Sequence, residues 1–106
     1  MRKVRLNPQV LSTMFIGFNR HLFTAPTEGD MYSVEESNGD CIIYFDNSFY
    51  KRYVKELESA YINGKFAASN ASNDWNDLFS QIKSAEPSEL PTTNITDYYL
   101  SLKKFL

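Results

Sequence analysis

Residues 31–45 read Met31-Tyr32-Ser33-Val34-Glu35-Glu36-Ser37-Asn38-Gly39-Asp40-Cys41-Ile42-Ile43-Tyr44-Phe45. The Asn38-Gly39 pair at the centre of this stretch decides the fold class. Asn followed by Gly supplies the two positive-φ positions of a type I′ turn, whose twist matches that of two paired strands. The stretch is therefore predicted to be an antiparallel hairpin. Folding about Asn38-Gly39 sets Glu36 opposite Cys41, Val34 opposite Ile43 and Tyr32 opposite Phe45, all on one mostly apolar face. The other face carries Glu35 with Ile42, Ser33 with Tyr44 and Met31 with Asp46, so Ile42 and Tyr44 are expected on this mixed face, either exposed for docking or packed on the protein's own third and fourth helices. Two strands alone are marginal, and the hairpin must lie on helices or gain a strand from elsewhere.

Outward from the hairpin the chain reads as helices. On the N-terminal side, Asn7 is a good N-cap and Pro8 suits the first helical position. Val10, Leu11, Met14, Phe15, Phe18 and Leu22 then recur at helical spacing, which predicts a helix over 7–23. Gly17 inside it costs about 1 kcal/mol against Ala unless it lets another element approach closely. Ile16, Phe23 and Ile42 are left as apolar positions without an assigned neighbour. On the C-terminal side, Asp46-Asn47-Ser48 offers caps for a helix over roughly 48–63. Tyr50, Tyr53, Val54, Leu57 and Tyr61 form its inner stripe, and Asn63-Gly64 is its stop. Lys51, Arg52, Lys55, Glu56 and Glu58 fall on the opposite side, with Arg52 and Glu56 an attractive i, i+4 pair. Ser72 is predicted to cap a third helix bearing Trp75, Leu78, Phe79 and Ile82. Residues 84–93 read as a linker. Asn94, with Asp97 three residues on, reads as the start of a last helix.

The fold expected is α+β: one helix-rich domain spanning 1–106, of order α-β-β-α-α-α, with one antiparallel hairpin packed on helices. A chain of 106 residues is long enough to bury a core without disulfides. The single Cys41 cannot form an internal bridge, which suits a reducing compartment. No apolar run approaches the roughly 20 residues that span a membrane, and no signal peptide is read in the basic start. The expected location is the cytoplasm.

The charges are sorted into blocks. Met1 to Ala25 holds four bases (Arg2, Lys3, Arg5, Arg20) and no acid, whereas residues 26–50 hold six acids (Glu28, Asp30, Glu35, Glu36, Asp40, Asp46) and no base. The net charge of -2 thus hides two local fields of opposite sign, and local fields steer partners.

Machinery for chemistry is sparse. His21 is the only histidine, so no site with two His ligands can form. Cys41 is predicted to be buried in a strand, where a lone Cys behaves as a small hydrophobe. Asp74 and Asp77 lie one helical turn apart, but capping and solvation account for them. The four glycines are isolated, so there is no phosphate-cradling loop. No catalytic residue, cofactor or metal is expected. Gly17-Phe18-Asn19-Arg20 followed by Tyr32-Ser33-Val34 resembles the opening of the bacterial small heat-shock proteins. That family needs a β-sandwich where residues 48–106 read as helices, so no residue role is carried over from it.

These observations predict a non-enzymatic protein-binding module, of the small inhibitor or immunity type used by phages and mobile elements against host or rival enzymes. Its docking residues are expected to be Glu28, Asp30, Glu35, Glu36, Asp40, Ile42 and Tyr44. The partner would be a protein with a basic surface, such as a nucleic-acid-processing enzyme. Two alternatives stand beside it. One is a homodimer or larger assembly joined through the hairpin edge and apolar helix faces. The other is a weak nucleic-acid accessory role for the basic N-terminus, which a sequence pI near 5.3 disfavours.

Overall fold

The computed structural model describes residues 1–63, 72–91 and 96–97. The elements run β1 (Arg2–Leu6), α1 (Pro8–Asn19), β2 (Met31–Glu35), β3 (Cys41–Phe45), α2 (Asn47–Ile62), α3 (Ser72–Lys83), β4 (Glu86–Pro87) and β5 (Thr96–Asp97). The class is α+β as expected, but the order is not the one read from the sequence. A strand precedes the first helix, and the linker contributes the two-residue strand β4. Thr96–Asp97 pair with β2 where a helical start was expected. The rest of that last helix falls on 94–95 and 98–106, outside the described residues.

The sheet is antiparallel, in the order β4-β1-β3-β2-β5. The third strand that the hairpin needed is β1. Arg2-Lys3-Val4-Arg5-Leu6 alternates charged and apolar residues with the period of a strand, and its Val4 and Leu6 are buried while Lys3 and Arg5 are exposed. β1 pairs with β3 from Arg2↔Phe45 to Leu6↔Cys41. This makes β3 a central strand, consistent with its near-continuous apolar run Cys41-Ile42-Ile43-Tyr44-Phe45.

The hairpin exists, but its register differs by one residue from the expected one. The pairs are Met31↔Phe45, Tyr32↔Tyr44, Ser33↔Ile43, Val34↔Ile42 and Glu35↔Cys41. The loop holds three residues, Ser37-Asn38-Gly39, and is closed by the Glu36 N–H donating to the Asp40 carbonyl at 2.8 Å. Asn38 (φ 83°) and Gly39 (φ 80°) are both left-handed, as the dipeptide promised, yet they sit in a longer loop than a two-residue turn. A one-residue shift turns a whole strand over. Cys41, Ile43 and Phe45 face the core as expected. On β2, however, the inward residues are Met31 and Ser33, and Tyr32 and Val34 are the half-buried ones.

The helices pack on the sheet face bearing Val4, Leu6, Met31, Cys41, Ile43 and Phe45. Val10, Met14 and Phe18 of α1, Phe49, Tyr53 and Leu57 of α2, and Trp75, Leu78 and Ile82 of α3 join these in one core. Asn7 caps α1 as predicted, its Oδ1 accepting from the Val10 N–H at 2.9 Å. The helix ends at Asn19, earlier than the periodicity suggests. His21 adopts φ 57°, its N–H donates to Phe18 O at 3.1 Å, and the Leu22 N–H donates to Gly17 O at 2.9 Å. That bond pair around a left-handed residue is a Schellman cap, which needs one residue with positive φ. The cap redirects the chain so that Phe23 turns into the core, edge-on to Tyr53 at 5.5 Å and to Trp75 at 5.9 Å. Phe23 is thereby removed from the uncommitted apolar set. Gly17 is the close-approach glycine: a Cβ there would sit 2.6 Å from the Phe23 ring and 3.3 Å from Trp75.

Candidate functional site

The seven residues expected to dock a partner lie in two groups. Asp30 precedes β2 and its carbonyl accepts from the Asp46 N–H, so Glu28 and Asp30 sit where the strands meet α2. Glu35, Glu36 and Asp40 surround the hairpin tip at the other end. The five-residue β2 between them spans about 17 Å. Sequence proximity suggested one acidic block, and an extended strand divides it.

The first group is largely occupied internally. One Asp30 carboxylate oxygen accepts from the Thr27 N–H and hydroxyl, both at 2.8 Å, and lies 3.8 Å from Arg52. Arg52 thus reaches Asp30 and stacks over the Phe49 ring at 5.0 Å. Its expected helical partner, Glu56, accepts instead from the Thr24 N–H at 3.0 Å and hydroxyl at 2.7 Å. Both long side chains of α2 tie down the connection between α1 and β2. Asp46 caps α2 by accepting from the Ser48 N–H at 2.9 Å. Glu28 remains exposed.

The tip is the more open group. Glu35 is exposed. Glu36 and Asp40 share Arg5 of β1: Glu36 forms a direct charge-assisted hydrogen bond with it, and the Asp40 carboxylate lies 3.5 Å from its Nε. Two carboxylates therefore share one guanidinium, while Glu35, paired with Cys41, falls on the other face of the sheet. The Arg5 side chain is 61% exposed, which limits each exposed pair to under about 1 kcal/mol of stability. The tip backbone is anchored as well, since a Cβ on Gly39 would lie 3.3 Å from the Pro8 ring.

The two apolar candidates fare differently. Ile42 is half-buried. Tyr44 is only 8% exposed, which corrects the expectation that it stands exposed on that face. It belongs to the sheet face away from the main core, where the alternation also places Lys3, Arg5, Tyr32, Val34 and Ile42. The role of Arg5 was missed by sequence reasoning. The signal was present in the charged–apolar alternation of Arg2–Leu6, which marks a strand and hence a neighbour for the hairpin.

The other features singled out in the sequence have structural duties. Arg2 lies over the Tyr50 ring at 5.6 Å and Arg5 meets Glu36 and Asp40, whereas Lys3 has neither ring nor ion-pair partner among the described residues. Cys41 is buried beside Leu6. His21 follows the far end of α1, about 18 Å along a 12-residue helix at 1.5 Å per residue, so the histidine and the cysteine lie apart. Asp74 accepts from Gln9 Nε2 at 2.7 Å, joining the starts of α1 and α3. Among the described residues no group of three His, Cys, Asp or Glu could hold a metal ion, and no helix is long and apolar enough to cross a membrane.

An open cleft of about 450 Å³ lies beside the turn after α1, lined by His21, Leu22, Phe23, Thr24, Ala25, Glu56 and Ser59. Its carboxylate is the one already bonded to Thr24. Beneath this region Tyr53 is fully buried among Phe18, Phe23, Phe45 and Phe49. Comparison of the chain with protein-family models, with curated proteins and with solved structures returned no match.

Proposed function

We propose that this protein is a non-enzymatic protein-binding module, a small inhibitor or immunity-type protein that presents its hairpin tip to a basic surface on a target protein. The observation that carries the reading is the excess of Glu35, Glu36 and Asp40 over Arg5 at a loop held by two left-handed residues and braced on Pro8. A fixed protruding charge costs little ordering on encounter and steers an oppositely charged surface toward it. Enzymes that process nucleic acids carry such basic surfaces and are the partner class this chemistry fits. With Tyr44 buried, Ile42 is the remaining apolar candidate beside the tip, and charge dominates the approach.

The test is a comparison of the wild type with Glu35→Lys/Asp40→Lys. Both are expected to fold with similar stability, because exposed charges near a turn contribute little. Capture from the native source is expected to yield a partner with the wild type and not with the variant. Association with that partner at low salt is expected to slow by about an order of magnitude or more. Equal recovery and equal association rates for the two proteins would refute docking through the tip.

A second reading, self-assembly, is favoured by the exposed apolar residues at the end of α2, where Tyr61 is 53% and Ile62 83% exposed, and by Ile16 at 42%. Sedimentation of the purified chain separates the readings. A mass that doubles with concentration, and reverts with Ile62→Glu, belongs to assembly.

A further inference from the structure

We draw no further inference here: the strongest candidate, the open cleft between the turn after α1 and the outer side of α2, carries nothing because its carboxylate Glu56 is already committed to Thr24, the left-handed His21 at its rim is accounted for by the helix cap, and nothing in the structure shows what would occupy it.

Discussion

Tyr53 carries a buried hydroxyl with no hydrogen-bond partner among the described residues. A buried hydroxyl without a partner forfeits its hydration, a cost of roughly 1–3 kcal/mol. Tyr53→Phe keeps the ring contacts and removes that cost, so it is expected to stabilise the fold by about 1 kcal/mol, read as a higher urea midpoint at unchanged slope. A loss of stability would mean that the hydroxyl has a partner. The same residue sets a pH dependence. Burial, with the Glu56 charge adding to it, pushes the Tyr53 phenol far above its ordinary value. Above about pH 10 the unfolded chain releases this proton while the folded chain keeps it. The folded state then binds more protons, so stability falls as pH rises, by about 1.4 kcal/mol per pH unit from this group. Wild type and Tyr53→Phe are expected to run parallel up to about pH 9 and to diverge above about pH 10, the wild type unfolding first. Gly17 makes the opposite case from propensity. Ala would favour the helix by about 1 kcal/mol, but its Cβ would strike the Phe23 ring 2.6 Å away. Gly17→Ala is therefore expected to lower stability by about 1–3 kcal/mol, and a thermal melt showing a gain would contradict the packing described. His21→Gly is expected to gain about 0.5–1 kcal/mol by relieving the left-handed strain in the helix cap.

At the scale of elements, the hairpin separates two kinds of information. Asn38-Gly39 announced a turn and delivered two left-handed residues. It did not announce the loop length, and the three-residue loop moved every β2 side chain to the other face. The consequence is testable with buried charges. On the sequence alone, Val34→Asp ranks with Tyr53→Asp as unfolding. In the fold Val34 is half-buried and Ile43 fully buried, so Ile43→Asp and Tyr53→Asp are expected to abolish cooperative unfolding, while Val34→Asp leaves a folded protein of reduced stability. Circular dichroism melts of the three variants decide it, and a Val34→Asp that unfolds as fully as Ile43→Asp would reject the observed register. β1 shows why its strand was hard to read: five residues give too short a run to outweigh the basic character of Arg2, Lys3 and Arg5. Its pairing energy comes from β3, which lies some forty residues away.

For the whole molecule, the sorted charges in the sequence do not become two sorted surfaces. Arg5 of the basic block meets Glu36 and Asp40 of the acidic block, and Asp30 of the acidic block is met by Arg52 from beyond both. What remains is a small acid excess at the tip. If that excess steers a basic partner, Arg5→Gln is expected to raise the association rate at low salt, since it removes the cation that Glu36 and Asp40 share. Added salt is expected to erase the difference between wild type and variant, because exposed charges are screened beyond roughly 10 Å at 0.1 M. An association rate that is lower in Arg5→Gln at every salt concentration would assign Arg5, and not the acids, to the contact.

The sequence by itself determined the α+β class, the Asn7 and Asp46 caps, the inner faces of α1 and α3, the hairpin and the inward face of β3. On α2 it found Tyr53 and Leu57, but Phe49 and Ala60 are buried there in place of the expected Tyr61, which is exposed. The features so determined follow from local periodicity and turn chemistry, which act over a few residues. Tertiary structure alone decided the place of β1 in the sheet, the face of β2, the burial of Tyr44 and the sharing of Arg5 by Glu36 and Asp40. Each of these joins residues about thirty or more positions apart or hangs on one residue of loop length, and local patterning carries no information about either.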